Sequence, residues 1–376
     1  MHAMSVSADH FSDLVGQRVQ FARKEMGLTQ DDVAARIGFK DRQILASIEA
    51  GKRRVAADEL LRLMEILRKS LDYFTDPYLI VTPNAISWRA QNVPVILDQY
   101  EPKARTLVSA GRRFADLLGE KPMPLAYTLP LTKRSTFEEA AEAGDFLSGE
   151  WGAGDVPAAM LQQIVEERLR YLVLFVDCPA EISGAACHVS GADSILINRR
   201  EGFERQNFDL GHEVFHLLTW DTMPPERIDA ITENTQGGTR TECLANNFAA
   251  GLLMPVRVLK PRWESRGDTE IHAWLNQTAT ELQVSGQALY WRLRNLKLMS
   301  DGIALGVDTT RLVRHGQGGR DLNLRPPYSA TFTKRLHRVL DNGLVSARKA
   351  AELLDCSLDD IADVFGAYNL PVPFDL

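Results

Sequence analysis

The chain has 376 residues, 45% hydrophobic and 25% charged, a balance that excludes a collagen-like, low-complexity or wholly disordered polymer and suggests two or three domains. Its four cysteines, Cys178, Cys187, Cys243 and Cys356, form no C-x-x-C pair and are too scattered for a disulfide framework. Apolar runs as short as Tyr171–Val176 cannot span a bilayer, and the first residues carry no apolar leader, so a soluble, cytoplasmic protein without a membrane partner is expected. Net charge is −7, yet over residues 36–54 six basic side chains (Arg36, Lys40, Arg42, Lys52, Arg53 and Arg54) outnumber Asp41 and Glu49. A local basic patch on an acidic chain points to one module that faces an anion.

Taken in chain order, residues 11–69 read as a compact helical unit. Leu14, Val15, Val19 and Ala22 keep helical spacing up to Gly27. Thr29 with Asp32 three residues on forms a near capping box for a second helix, stopped by Gly38. Asp41 caps a third helix through Ala50, with Ile44, Leu45 and Ile48 inward and Gly51 after it. A fourth helix spans about 57–67, with Leu60, Leu61, Leu63, Met64 and Leu67 mostly inward, and Asp76-Pro77 marks a boundary. Beyond a proline-rich stretch, helices are predicted at Lys103–Leu118, Phe137–Trp151 and Pro157–Leu169, and strands at Tyr171–Val176 and Ser194–Asn198. Helices follow at Arg205–Trp220, Thr241–Leu253, Ile271–Leu282 and Gly286–Leu296. Gly316–Pro327 reads as a linker, and Thr331–Phe365 as a helical tail that packs on the preceding domain or on another subunit.

Short helix, tight turn, capped helix and a basic Gly-Lys-Arg-Arg make the layout of a helix-turn-helix. Its third helix would enter the major groove of double-stranded DNA with Arg42, Gln43, Ala46 and Ser47 near base edges. Arg suits guanine and Gln suits adenine because each pairs in a bidentate way, and Lys40, Lys52, Arg53 and Arg54 would meet phosphates. A four-helix module that binds protein is the alternative on spacing alone. The stretch from Arg18 through RKEMGLTQDDVAARIGFKDRQILASIEAGKRRV to ELLRLMEILRKSLDYF resembles the XRE helix-turn-helix family along its length. Asp41 stands where that family more commonly has Ser or Thr.

Residues 212–216 read His-Glu-Val-Phe-His. On a helix, His212 and His216 share one face four residues apart, the spacing at which two imidazoles bind one zinc ion, and Glu213 beside them is the candidate general base. Glu242, which opens the next predicted helix, completes a His₂Glu set with one open position. Cys243 lies about 100° round that helix and reads better as a buried small side chain. ILINRREGFERQNFDLGHEVFHLLTW followed by TECLANNFAAGLLMP is similar to the ImmA/IrrE metallopeptidase family, and Ile86-Ser87-Trp88-Arg89 and the segment Val284–Leu293 also fit. Phe215, a bulky ring beside the metal helix, stands where that family often has Gly.

This resemblance implies metal-assisted amide hydrolysis with one zinc per chain, acting on a protein substrate such as a repressor or antitoxin-like regulator. Asn198 and Arg205 are candidates to orient substrate or the metal helix, or to serve structural hydrogen bonds. His188 is a candidate substrate or oxyanion residue, the strand at Ile195–Asn198 a candidate edge for an extended substrate, and Trp220, Trp263 and Trp291 candidate core. The expected fold class is mainly α with a small β-sheet (α+β): a helix-turn-helix head over 11–76, a zincin-like metallopeptidase domain over 83–315 and a helical C-terminal domain over 328–376, with a homodimer as one possible assembly. Two rival readings stand beside the enzyme: a transcription factor whose metal site is structural or sensory, and an antitoxin-like regulator that acts by binding alone.

Overall fold

A computed structural model describes residues 8–79, 85–91, 94–120, 128–189, 193–230, 239–313 and 324–375. The chain divides into two compact units, residues 1–83 with 105–113 and the remainder. The C-terminal helices fall within the larger unit.

In the smaller unit, α1 (Ala8–Glu25), α2 (Gln30–Ile37), α3 (Arg42–Glu49), α4 (Ala57–Leu67) and α5 (Leu71–Thr75) follow in order. The local signals explain the breaks. Thr29 and Asp32 complete a capping box at α2, Gly38 ends that helix in the left-handed region, and the Asp41 side chain caps α3 through the Gln43 N–H. Val15, Val19, Val33, Ile37, Leu45, Ile48, Leu63, Leu67 and Phe74 close one core. Gly16 permits the closest approach, since a Cβ there would stand 2.1 Å from the Ile48 carbonyl oxygen. Leu61, expected on the inner face, is 60% exposed.

The larger unit is built on a five-stranded mixed sheet of order β2-β4-β3-β1-β5: β1 (Ile86–Ala90), β2 (Leu172–Val176), β3 (Ile182–Cys187), β4 (Ser194–Asn198) and β5 (Ile228–Ala230). β1–β3 and β3–β4 are antiparallel, whereas β2–β4 and β1–β5 are parallel. Only β2 and β4 are foreseen by the sequence. β1 (ISWRA) alternates apolar and polar residues but is only five residues long, and β3 (ISGAAC) does not alternate; both are buried along their whole length. The expected edge at Ile195–Asn198 is corrected: β4 is hydrogen-bonded on both sides, and the edges are β2 and β5.

The helices of this unit, with α6 reaching into both, are α6 (Pro94–Leu117), α7 (Phe137–Glu150), α8 (Pro157–Glu167), α9 (Phe203–Leu218), α10 (Arg240–Leu253), α11 (Val256–Glu264), α12 (Ile271–Leu282), α13 (Gly286–Asn295), α14 (Asp301–Leu305), α15 (Ala330–Asp341), α16 (Ala347–Leu354) and α17 (Leu358–Ala367). α6 begins nine residues before the predicted Lys103 and carries Pro102 inside it, a residue read from sequence as a breaker because it lacks an N–H. α11 and α14 were not foreseen. The 316–323 part of the expected linker lies outside the described residues. α9 lies on β3 and β4, and α10 packs between α9 and α7. Small residues set that spacing: a Cβ on Gly251 would meet the Ala141 carbonyl oxygen at 2.0 Å, and one on Gly144 the Phe248 oxygen at 2.2 Å. Trp220, Trp263 and Trp291 pack against the core only in part.

The tail is held to the sheet by named contacts. The Tyr328 N–H donates to the Phe175 carbonyl at 2.8 Å on edge strand β2. The Arg325 guanidinium lies over the rings of Phe175 and Phe203 and donates to Asn207 Oδ1 at 2.6 Å. This covers part of the β2 edge, which would otherwise offer unpaired backbone groups.

Candidate metal centre

One helical turn brings His212 and His216 together on α9, with their Nε2 atoms 3.0 Å apart. Glu242 reaches the same point from the first turn of α10, whose start is fixed by the Thr239 hydroxyl on the Glu242 N–H. Its Oε2 lies 3.1 Å from His212 Nε2 and its Oε1 3.2 Å from His216 Nε2. All three side chains are buried, and among the described residues they are the only His, Cys, Asp or Glu group so converged. Cys243 is buried without joining them, and burial pushes its thiol up.

Electrostatics suits the donors to a cation. Burial, and next Arg89, hold the His212 imidazole down to about 4, so it is neutral with a lone pair to give. Burial alone would raise the Glu242 carboxyl, but the facing imidazoles of His212 and His216 outweigh it and hold the group well below the carboxylate range. Both Glu242 carboxylate oxygens are buried without a hydrogen bond. A buried acceptor left so is costly, and a metal ion would satisfy it.

Glu213, 1% exposed, sits on the same turn, with its Oε1 3.9 Å from where a Cβ on Gly184 of β3 would stand. Phe215 is fully buried in the core, its ring centroid 5.5 Å from that of Phe248 and 5.8 Å from that of His216.

Three residues at the site carry roles that sequence reasoning missed. Asn246, one turn after Glu242, places Oδ1 2.9 Å from His212 Nδ1. An amide oxygen only accepts, so an Nδ1–H would donate to it and leave the Nε2 lone pair for a metal. Arg89 on β1 places NH1 2.8 Å from both ring nitrogens of His212 and 3.8 Å from Glu242 Oε2. Asp209, fully buried three residues before His212, holds Arg89 Nε at 2.9 Å and Arg205 Nε at 3.0 Å. The i, i+4 spacing of Glu242 and Asn246 was a readable signal for the first. A lone Arg in the run Ile86–Ala90 was one for the second.

The candidate substrate residues make contacts of their own. Asn198 Nδ2 donates to the Pro179 and Ile182 carbonyls, and its Oδ1 accepts from the Cys178 and Arg200 N–H groups. Its amide thus braces the end of the sheet. Arg205 binds Asp209 and the Ser183 hydroxyl. Glu201 nearby is raised to about 8 by burial and by Asp209. His188 is half-buried, with Nδ1 2.8 Å from Asp193 Oδ1 and its ring stacked on Trp220. The bond to Asp193 raises its pKa.

In the head, Lys40, Arg42, Gln43, Lys52 and Arg54 are exposed around the start and exit of α3, while Ala46 and Ser47 are half-buried on it. Arg53 differs. It makes a two-pronged pair with Glu59 at 2.7 and 3.0 Å and lies over the Phe39 ring, so it braces the loop before α4. Glu49 is buried against Arg23 and accepts from Gln30.

Residues 19–74 match the helix-turn-helix family, and residues 166–294 match the IrrE N-terminal-like domain of a peptidase family. The chain is therefore a fusion of an XRE-type helix-turn-helix with an ImmA/IrrE-like domain, a regulator that carries a protease-like domain. No significant match is found among curated proteins or solved structures.

Proposed function

We propose that the chain is a DNA-binding regulator whose second domain is a zinc-dependent endopeptidase acting on a regulatory protein. The observation that carries this reading is the convergence of the His212 and His216 imidazoles and the Glu242 carboxylate, donor atoms 3.0–3.2 Å apart, beside a further carboxylate, Glu213. His212, His216 and Glu242 would hold the ion, one per chain. When bound, zinc supplies Lewis acidity toward the scissile carbonyl and the attacking water.

The chain's own residues do the remaining work. Asn246 fixes the His212 tautomer and ring orientation. Glu213 takes a proton from water during attack and returns it to the departing amide nitrogen, as a general base and then an acid. In the head, Arg42, Gln43 and Ser47 read base edges while Lys40, Lys52 and Arg54 engage phosphates of double-stranded DNA. Arg53 assists from its seat on Glu59.

One observation favours a second reading, in which the site is structural or sensory. His212 is 0% exposed, and Glu213, His216 and Glu242 are each 1% exposed, so a substrate needs the site to open. Co-expression of the full chain with a candidate repressor or antitoxin-like partner separates the two. A cut partner with wild type, an intact one with Glu213→Gln and equal metal in both supports the enzyme. An intact partner with both, at full metal content, favours the second reading.

A further inference from the structure

Three carboxylates stand at the starts of α2 and α3, and two of them have local work. Asp32 closes the capping box with Thr29, and Asp41 caps α3 through the Gln43 N–H. The third, Asp31, reaches across to α3, where its Oδ2 lies 3.7 Å from Arg42 NH1. The backbones that carry this pair are fixed relative to each other, since Val33 and Ile37 of α2 share one core with Leu45 and Ile48 of α3. The two side chains themselves are 71% and 63% exposed. So open an ion pair contributes little to stability, because water screens it and ordering two long side chains costs entropy. Its effect falls on the orientation of Arg42.

A guanidinium is planar and carries five N–H donors in a fixed fork. Immobilising so rotamer-rich a side chain on a ligand is costly, and a partner that already restricts it lowers that cost. With a carboxylate beside NH1, the far edge of the fork is left for another acceptor pair. On a base edge in the major groove the matching pair is O6 and N7 of guanine. A carboxylate in this place also works against the wrong partner. It offers no donor to a phosphate and repels one, so a guanidinium that swings to the DNA backbone leaves Asp31 alone near like charge.

We propose that Asp31 is a positioning residue for DNA recognition. It steadies the Arg42 guanidinium toward the groove and makes the head select a guanine opposite the first turn of α3. The inference rests on the reading that α3 enters the major groove. It goes further by naming the base and by assigning the choice to a residue on α2 that itself touches no base.

The test uses the full chain and duplex DNA selected from a random pool by the wild type. Each guanine in the selected site is changed in turn to adenine, and affinities are compared at one fixed salt concentration, on which they depend. The guanine read by Arg42 is the one whose preference is lost in Arg42→Ala. At that position, and at no other, Asp31→Asn should lower the preference roughly three- to tenfold, with the melting temperature unchanged. In the Arg42→Ala background Asp31→Asn should change the preference there no further. An unchanged preference in Asp31→Asn, or tighter binding to every duplex alike, would overturn the proposal and leave Asp31 as a mere repulsive charge. A loss spread over all positions would overturn it too, as would a selected site in which no guanine responds to Arg42→Ala. A wild-type chain that selects no duplex would overturn both the proposal and the reading of the head beneath it.

Discussion

The head and the metal centre place their chemistry at opposite depths. Around α3, the residues proposed to meet DNA lie mostly at the surface, on a core made by other side chains such as Leu45, Ile48 and Leu63. At the metal centre every proposed participant is buried, and most are tied to a second group: His212 to Asn246, Arg89 to Asp209, and Asp209 to Arg205. The difference teaches how each can be dissected. Surface contacts can be removed with little effect on stability, which stays within about ±0.5 kcal/mol for such sites. Buried charged contacts cannot, because a removed partner strands another, so each change at the metal centre needs a shape-preserving variant and a melting curve beside it.

The largest effect expected from that comparison is on turnover. Glu213→Gln preserves volume and should lower cleavage of a co-expressed partner by ~10²–10⁴-fold, with metal content and melting temperature near wild type. Cleavage at the wild-type rate would remove Glu213 from the mechanism. Next comes Asn246→Ala, which removes the amide oxygen 2.9 Å from His212 Nδ1. Loss of such a supporting contact typically costs ~10–100-fold in metal affinity, and titration against a chelator measures it. Unchanged affinity would mean that packing alone orients the ring.

In the head, Arg42→Ala should weaken and relax DNA recognition by about 1–3 kcal/mol with the melting temperature unchanged. Arg53→Ala should do something different, because it also breaks the pair with Glu59. It is expected to lower the melting temperature as well as binding to all sequences, as read by calorimetry and a salt titration. If Arg53→Ala affects binding alone, the Glu59 pair contributes nothing to the fold.

The distinction between the regions also governs what the sequence could reveal. The head is written in local signals. Thr29 with Asp32, Gly38, Asp41 and Gly51 mark its breaks within a few residues of the helices they punctuate, and the structure places caps and turns there. His212 and His216 were legible for the same reason, being one turn apart on one helix. Glu242 was legible from its place at the start of the following helix. Arg89 was not, because its place beside His212 depends on β1 pairing with β3, a strand whose Ile-Ser-Gly-Ala-Ala-Cys run carries no alternating pattern. Asn198 was open in sequence between orienting a substrate or the metal helix and a structural role, and its amide bonds the backbone of the sheet end. Phe215, a bulky ring where the resembling family often has Gly, is part of the core and lies edge-on to the His216 ring.

The smallest effect concerns pH. His188 has a raised pKa through Asp193, so its protonated form is favoured in the folded state. That contribution is fully present below the unfolded value near 6.5 and fades as pH rises through the higher folded value. His188 is partly solvated, so screening keeps the effect below about 1 kcal/mol. His188→Asn should therefore lower the melting temperature slightly at pH 5.5 and leave it unchanged at pH 9. An equal loss at both values would point to the Trp220 stacking contact instead of the charge.

Metal content per chain is the most direct test of the central claim, measured by mass spectrometry on purified full-length wild type and on His216→Ala. About one zinc per wild-type chain, and little or none in a folded His216→Ala chain, is the expected result. Equal zinc in both, or none in the wild type, would contradict a metal centre at His212, His216 and Glu242.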